Sequence, residues 1–300
     1  MKIAFMVMAH TDAAQLNNLV KRLSPNDFFD SHIFIHIDKK ANISDFVSVT
    51  KYKYVTVISK RIDVTRCGIS QVDASLELMK AALESGTEFD RYILITGQDY
   101  PIVSNEQIFN TLSQKEIEFM RGYKVTGTSM NKKVRKYYFY NKHLTGSPFW
   151  DLIRRLLQFI VSPISKKDTV EIDNNQWEIY YSSAYFAVSH SLFIELYSKG
   201  KNKKYYDYFK TAICSDEMYF ITIAANSRFR DKLEAIDTDS HTLLDNSSIT
   251  YFKYLNRPIE LTENNYLELV DCGRMFARKF SSSYSTKLIE LLEKEGRGAK

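Results

Sequence analysis

Cysteines and metal-binding patterns are scarce in this 300-residue chain. Its three cysteines, Cys67, Cys214 and Cys272, are widely spaced and include no C-x-x-C pair. That usage fits a reducing compartment and supplies no metal framework. The six histidines likewise show no metal-ligand spacing beside cysteines or acids. Neither residue type therefore predicts a metal centre.

Several common active-site signatures are also missing. The chain has no G-x-G-x-x-G, no Walker loop, no G-x-S-x-G and no H-E-x-x-H. These motifs mark dinucleotide oxidoreductases, P-loop enzymes, serine hydrolases and zincins. The sequence therefore argues against all four classes.

Long apolar runs are absent from the N-terminus. Residues 1–10 form an apolar stretch that is too short for a transmembrane helix and lacks a small-residue cleavage site. The stretch runs directly into helix-like sequence. We therefore predict a first strand and not a signal peptide, and we expect cytoplasmic residence.

The overall composition is that of a soluble globular protein, with 44% hydrophobic and 26% charged residues. A net charge of +5 is compatible with an anionic small substrate or an anionic membrane surface and too weak to predict a nucleic-acid partner. Aromatic residues make up 14% of the chain. Tyr and Trp rings suit stacking against sugars or nucleosides, although many will belong to the core.

Strand-like and helix-like segments alternate in the first half of the sequence. Strands are predicted at 3–9, 33–37, 54–58 and 92–96, with helices at 12–23, 69–83 and 105–112. This rhythm predicts an α/β fold with a mostly parallel sheet flanked by helices. Farther along, residues 130–142 read as a basic, aromatic loop. Residues 148–167 read as an amphipathic segment that ends at Pro163.

Acidic residues follow two of the predicted strands. Asp99 lies in T-G-Q-D-Y-P-I at 96–102, and Asp38 ends the strand that contains H-I-D-K at 36–39. Ligands of open α/β sheets bind just beyond the carboxyl ends of strands, so both acids are candidate site residues. The alternative is that each acid only holds backbone N–H groups in a turn.

Three further charged clusters each allow a functional and a structural interpretation. Ser215, Asp216 and Glu217 open a predicted helix. Ser215 could cap it, with the two acids favoured by the helix dipole, or a carboxylate held there could act as a general base. The D-x-D at 237–239 could hold a cation on a diphosphate or form a solvated turn. Lys279, with Arg278 and the upstream Arg257, could neutralise a diphosphate or form a solvated basic face.

Seven short motifs, taken in order, resemble the Branch family, glycosyltransferase family 14. This family contains core-2/I-branching β-1,6-N-acetylglucosaminyltransferases and protein xylosyltransferases. The stretches are M-A-H-T (8–11), H-I-D-K (36–39), R-I-D-V-T-R-C-G-I-S (61–70), T-G-Q-D-Y-P-I (96–102), Y-S-S-A-Y-F-A-V-S (181–189), C-S-D-E (214–217) and M-F-A-R-K-F (275–280). One departure is Arg66-Cys67-Gly68, where the family often has Trp-Gly-Gly.

The resemblance implies a GT-A-like fold forming a single domain over 1–300, with a C-terminal extension. Residues 1–125 would form the nucleotide-sugar-binding half and residues 126–300 the acceptor and catalytic half. It also implies an inverting reaction, a UDP-sugar donor and no metal or other cofactor. Glu217 matches the family's general base. The implied donor-binding residues are His10, Asp38, Arg61, Asp99, Arg257 and Lys279. The implied acceptor-binding residues are Gln98, Arg135, Tyr137, Trp177, Ser183, Tyr185 and Asp216, with Trp177 as a sugar platform.

The leading hypothesis is transfer of GlcNAc from UDP-GlcNAc to a hydroxyl of a glycan or lipid-linked glycan. A xylosyltransferase or another UDP-sugar transferase of the same fold is the nearest alternative. A second class is a catalytically inactive sugar-binding or membrane-surface protein whose residues 148–167 contact lipid at the inner face of the plasma membrane. Those residues could instead form a core or lid helix. A nucleotidyltransferase, which would release diphosphate, is a third alternative.

Overall fold

Strands and helices alternate through the first half of the chain, as the apolar periodicity predicts. The computed structural model describes residues 1–139, 147–254 and 258–294. Through residue 124 the elements are β1 (Lys2–Ala9), α1 (Ala13–Arg22), β2 (Asp30–Ile37), β3 (Val55–Val57), α2 (Ser70–Glu84), β4 (Arg91–Thr96), β5 (Asp99–Pro101), α3 (Asn105–Leu112) and β6 (Glu118–Lys124), with a 3-10 turn at Ile43–Val49.

The second half contains shorter elements. They are α4 (Asn131–Arg135), α5 (Pro148–Val161), β7 (Thr169–Ile172), β8 (Asn175–Glu178), β9 (Tyr180–Tyr181), β10 (Phe186–Ser189), α6 (His190–Gly200), α7 (Lys203–Phe209), α8 (Tyr219–Ala225), β11 (Leu233–Ile236), β12 (Thr250–Phe252), α9 (Tyr266–Asp271), β13 (Phe276–Arg278) and α10 (Thr286–Lys294). The 3-10 turns are Ser215–Glu217, Arg230–Lys232 and Glu263–Asn265. The predicted loop at 130–142 is wrong for 131–135, which form α4, and its residues 140–142 lie outside the described ranges.

Local capping explains where helix α1 begins and ends. The Asp12 side chain accepts a hydrogen bond from the Gln15 N–H at 3.0 Å, which satisfies one of the free donors of the first turn. Lys21 and Arg22 occupy the last turn, where cations are favoured by the helix dipole. Asp12 is thus the N-cap of α1.

The central sheet has the strand order β11-β6-β10-β4-β1-β2-β3 in the described part of the chain. Strand β1 runs parallel to β2 and β4, β3 runs parallel to β2, and β11 runs parallel to β6. Strand β10 is antiparallel to both β4 and β6. This mostly parallel sheet with flanking helices confirms the predicted GT-A-like class of fold.

Helices cover both faces of this sheet, and strand β1 shows why. Ile3, Phe5 and Val7 contribute to one buried cluster, whereas Ala4 and Met6 contribute to another. Successive side chains of a strand point to opposite faces, so a strand covered on both sides reads as a continuous apolar run.

No helix in the described ranges is both long and apolar enough to cross a membrane.

A second, smaller sheet attaches the C-terminal region to the turn after β4. Its order is β12-β13-β5, with β13 parallel to β12 and antiparallel to β5. The antiparallel register sets Arg278 opposite Asp99 and Ala277 opposite Tyr100. The basic segment at 276–280 is thereby held against the T-G-Q-D-Y-P-I turn.

Candidate active site

Predicted site residues follow the carboxyl ends of three parallel strands. His10 follows β1, Asp38 follows β2, and Gln98 follows β4. Partial burial lowers the pKa of His10, whereas Asp38 raises it and Lys279 lowers it. An acid and a cation therefore both lie within electrostatic range of this imidazole. The sheet brings two predicted donor residues, His10 and Asp38, and the predicted acceptor residue Gln98 to one edge, where open α/β sheets bind ligands.

Asp38 is held in place by Lys40 and by the loop that follows β3. Lys40 Nζ lies 3.0 Å from Asp38 Oδ2 and 2.9 Å from Asp63 Oδ1. The Arg61 guanidinium donates to three main-chain carbonyls, those of residues 37, 38 and 41. The structure thus gives Arg61 a positioning role in the Asp38 turn, and its direct contact with the donor stays a prediction.

Asp99 has no solvent exposure, which corrects the prediction that it contacts the donor. Its Oδ2 accepts hydrogen bonds from the Thr96 N–H and from Thr96 Oγ1, the latter at 2.7 Å. Arg278 Nε lies 3.8 Å from Asp99 Oδ1. Burial raises the pKa of Asp99, whereas Arg278 lowers it. Asp99 therefore fixes the Arg278 guanidinium, and with it the backbone that carries Lys279.

Three predicted acceptor residues, Gln98, Ser183 and Tyr185, are nearly buried. The Tyr185 hydroxyl accepts a hydrogen bond from Arg278, and the guanidinium lies 5.3 Å from the Tyr185 ring centroid. The Gln98 carbonyl accepts from the Phe280 N–H at 2.8 Å, and Ser183 Oγ donates to the Tyr185 carbonyl at 3.4 Å. Tyr185 therefore supports Arg278, and the predicted acceptor contacts of the three residues stay predictions.

Glu217 lies at the end of a 3-10 turn with its carboxylate held by two donors. Its Oε2 accepts a hydrogen bond from the Tyr181 hydroxyl at 2.7 Å and from Lys133 Nζ at 3.0 Å. In the described ranges no donor hydrogen-bonds to Oε1, and the side chain is 19% exposed. One oxygen is thus anchored while the other can receive a proton. That arrangement suits a general base.

Backbone contacts explain how Glu217 meets Tyr181. The Ser182 N–H donates to the Glu217 carbonyl at 2.8 Å, which ties the turn to the end of β9. At Gly122 on β6, a Cβ atom would stand 2.6 Å from the Tyr181 carbonyl oxygen. Only glycine permits that approach between β6 and β9. Gly122 therefore helps to set the position of Tyr181 and so of the carboxylate.

The sequence did not identify Lys133 and Tyr181 as partners of Glu217. They lie 84 and 36 residues away from it along the chain. Both residues belong to stretches that stand out in the sequence: Lys133 lies in the basic stretch at 130–142, and Tyr181 begins the Y-S-S-A-Y-F motif. Neither stretch indicates by itself that its residue contacts Glu217.

The loop before α2 and Gln71 on α2 form hydrogen bonds that hold the turn carrying Glu217. The Cys214 N–H donates to the Cys67 carbonyl at 2.9 Å, and the Cys67 N–H donates to Gln71 Oε1 at 2.7 Å. Gln71 Nε2 in turn donates to Asp216 Oδ2 at 2.8 Å. Burial, followed by the neighbouring Glu217 carboxylate, raises the pKa of Asp216 to about 8.

Cys67 is expected to be the most reactive of the three thiols. A hydrogen bond with the Cys214 thiol lowers the pKa of Cys67 to about 7, whereas burial raises the pKa of Cys272. The thiolate is the nucleophile, so iodoacetamide labelling of Cys67 should rise about tenfold from roughly pH 6 to pH 8. Peptide mass spectrometry over a time course measures that rate.

The matched control for this labelling is Cys214→Ala, which removes the hydrogen-bond partner. Its Cys67 should label with a midpoint at higher pH than in the unmodified chain. Equal labelling of Cys67 and Cys272 across this pH range contradicts the assignment.

The remaining predicted acceptor residues fall into different environments. Arg135 is exposed, and its guanidinium donates to the Lys166 carbonyl at 3.2 Å. The Tyr137 ring lies 5.4 Å from Lys166 Nζ. Trp177 is only 8% exposed and packs edge-on against Tyr205 at 5.7 Å. This burial corrects the prediction of a sugar platform at Trp177, because the core covers its ring.

The charged groups assigned to the diphosphate are only partly described. Arg257 lies outside the described residues. Lys279 is anchored by its backbone, since its carbonyl accepts from the Leu261 N–H at 2.8 Å. Asp237 forms an ion pair with Arg230. Within the described part of the chain, no group of three or more His, Cys, Asp or Glu residues is placed to hold a metal ion.

Comparisons with known proteins give matches over nearly the whole chain. A profile described as Core-2/I-Branching enzyme matches residues 3–254. A zebrafish (Danio rerio) protein named beta-1,3-galactosyl-O-glycosyl-glycoprotein beta-1,6-N-acetylglucosaminyltransferase 4 is 20% identical over 98% of this chain and 69% of its own length. Rat (Rattus norvegicus) xylosyltransferase 2 is 23% identical over 97% of this chain and 33% of its own length. Human (Homo sapiens) xylosyltransferase 1 is 29% identical over 41% of this chain and 13% of its own length. The chain thus spans about a third or less of either xylosyltransferase.

Proposed function

The chain belongs to the Core-2/I-branching enzyme family and is a glycosyltransferase, and we propose that it transfers GlcNAc from UDP-GlcNAc to a hydroxyl of a glycan or lipid-linked glycan. The proposed reaction inverts the anomeric carbon and needs no metal ion. The observation that carries this proposal is the Glu217 carboxylate, anchored through Oε2 and open at Oε1.

A single short segment supports both halves of the proposed site. Tyr181 donates to Glu217, whereas Tyr185, four residues later, accepts from Arg278. Four residues of chain span at most roughly 14 Å, so the Cα atoms of Tyr181 and Tyr185 lie within that distance of each other. One short segment therefore contacts both the proposed base and Arg278, which supports a shared site.

Glu217 would act on the acceptor. Oε1 takes the proton of the acceptor hydroxyl while that oxygen forms a bond to the anomeric carbon of the donor. The bond from this carbon to the diphosphate oxygen breaks, and its electron pair leaves with UDP. Lys133 and Tyr181 keep the carboxylate oriented through their hydrogen bonds to Oε2.

Lys279 and Arg257 would act on the leaving group. Negative charge develops on the diphosphate as UDP departs, and fixed cations stabilise it without reorganisation at the moment of reaction. Arg278 is already engaged by Asp99 and Tyr185, which fits a role in positioning the neighbouring Lys279. His10 and Asp38 lie at the same sheet edge and would contact the donor.

UDP-xylose is the second candidate donor, because proteins named xylosyltransferase are among the relatives of this chain. The two sugars differ by few contacts. The choice of GlcNAc therefore depends on a binding measurement.

A thermal-shift screen in EDTA tests the donor. A ligand at 100 times its Kd adds about 2.7 kcal/mol to the free energy of unfolding. That gain should raise the Tm by roughly 4 °C for a chain of this size. We expect a shift with UDP and UDP-GlcNAc and none with GDP-mannose. A shift that appears only after Mn²⁺ is added contradicts metal independence. A larger shift with UDP-xylose than with UDP-GlcNAc would identify UDP-xylose as the donor.

A further inference from the structure

Helix α5 presents an apolar face to solvent. Five of its side chains are between 54% and 77% exposed: Phe149, Leu152, Leu156, Phe159 and Ile160. Their spacing of three, four, three and one residues places them along one side of the helix. Single exposed apolar residues are ordinary, but a contiguous stripe of this size marks an interaction surface.

The polar side of the same helix faces the protein. Asp151, Arg154 and Gln158 lie on the opposite side and are half-buried, and Arg154 lies 3.4 Å from Asp151. None of the residues of α5, all of which the structure describes, is buried. A surface helix of a globular protein normally shows the reverse arrangement, with its apolar stripe against the core. Within the described ranges, the apolar face of α5 therefore has no partner.

Local sequence keeps α5 helical without that partner. Ser147 accepts a hydrogen bond from the Trp150 N–H at 3.3 Å, and Pro148 occupies the first turn, where its fixed φ is favourable. Pro163 follows the end of the helix. The apolar face is thus formed in advance of binding.

Charge around the helix identifies the partner. Residues 130–168 contain nine Lys and Arg against two Asp, a formal charge of +7, whereas the whole chain carries +5. Lys132, Lys136, Arg155 and Lys167 are exposed. A second copy of this chain would bring the same positive charge against itself, whereas an anionic lipid surface complements both the charge and the apolar stripe.

We propose that α5 docks this chain on the surface of an anionic lipid bilayer. The apolar stripe enters the boundary between headgroups and acyl chains, and the surrounding cations contact the headgroups. With 14 residues, α5 lies along the surface and does not cross the bilayer.

The segment that follows α5 connects this surface to α4, which carries the Glu217 partner Lys133. The Lys166 N–H donates to the Arg135 carbonyl at 2.8 Å, and Arg135 donates to Ser165 Oγ at 3.3 Å. Arg135 ends α4, the helix that carries Lys133 to Glu217. Docking would therefore hold the site near lipid-linked acceptors. This consequence depends on the proposed function, whereas docking itself does not.

Co-sedimentation with vesicles tests the docking proposal, with no sugar nucleotide present. The intact chain should bind vesicles of phosphatidylcholine mixed with phosphatidylglycerol at least about tenfold more tightly than pure phosphatidylcholine vesicles, and high salt should weaken the binding. Phe159→Glu should lower the affinity for the mixed vesicles by about tenfold or more. Arg155→Glu should lower it less and reduce the salt dependence.

The matched control is the variant Leu267→Glu, which replaces an exposed apolar residue on α9. This variant should bind the mixed vesicles as the unmodified chain does. Both replaced residues are exposed, so both variants should unfold at an unchanged Tm. Equal binding by Phe159→Glu and the unmodified chain overturns the proposal. So does light scattering that shows a dimer which Phe159→Glu converts to a monomer, because a second copy would then cover α5. A failed UDP-sugar screen leaves this result unaffected.

Discussion

Replacing Glu217 with Gln lowers the rate of sugar transfer by about 10²–10⁴-fold, the usual contribution of a general base. The amide has nearly the same shape and keeps an oxygen for the hydrogen bonds from Tyr181 and Lys133. It cannot take a proton from the acceptor hydroxyl. The loss therefore falls on kcat, and the affinity for the UDP-sugar, measured by calorimetry, changes by less than about threefold.

Glu263→Gln is the matched control for this prediction. The Glu263 side chain is 37% exposed and pairs with Lys287 at 3.6 Å. Its transfer rate should equal that of the unmodified chain. Full activity in Glu217→Gln removes Glu217 from the role of base. A loss of donor binding together with activity would show instead that this residue holds the donor.

Replacing Lys279 with Ala lowers kcat by about 10²–10³-fold, the effect seen when one fixed group that stabilises developing charge is removed. Lys279 shares the electrostatic surroundings of His10 with Asp38, and its backbone is fixed between residues 259 and 261. Without its ammonium, the diphosphate loses a cation in both the bound donor and the transition state. Both kcat and the KM for the donor should therefore worsen in steady-state UDP-release assays.

Two further variants sharpen the prediction for Lys279. Lys279→Arg keeps the charge and should recover part of the lost rate, although the guanidinium fork does not reproduce an ammonium point charge. Lys287→Ala, an exposed cation on α10, should leave the rate unchanged. A Lys279→Ala enzyme with unchanged kcat and KM would falsify the proposed role of Lys279 at the diphosphate.

The sequence was sufficient for the central strands because each is a buried apolar run. Strands β1 and β4 are covered on both faces, so their apolar residues are continuous and their ends carry the turn residues of the site. Order along the chain then placed His10 and Asp38 at one edge of the sheet. This local logic required no knowledge of distant contacts.

Distant pairing explains the burial of Asp99. Strand β13 pairs with β5 from the far end of the chain and sets Arg278 opposite Asp99. The motif T-G-Q-D-Y-P-I gives no sign of this partner, so an acid at a strand end reads as a ligand-binding group. A charge that is fully buried needs such a partner, and only the fold identifies it.

Turn chemistry explains the burial of Trp177 and was readable in advance. Asp173 and Asn174 both adopt positive φ, which is typical of a two-residue hairpin turn and tolerated by Asp and Asn. They join β7 to β8, whose residues Val170, Ile172 and Trp177 point into the core. The same sequence pattern marks a hairpin with one buried face.

The direction of helix α5 could not be predicted from its sequence. Its periodicity shows an apolar and a polar side, which is equally typical of a core helix and of a membrane-surface helix. Which side faces the protein depends on what the rest of the fold offers at that point. In the structure, the polar side of α5 faces the rest of the protein, with Arg154 half-buried beside Asp151.

The central claim is a single-displacement transfer from a UDP-sugar without a metal ion. It is tested most directly by proton NMR of the reaction of the intact chain with UDP-GlcNAc and a glycan acceptor in EDTA. The α-linked donor should give a β-linked product, with UDP released in equal amount and no α-linked intermediate or product. An α-linked product, the release of diphosphate in place of UDP, or turnover only after Mn²⁺ is supplied contradicts the account.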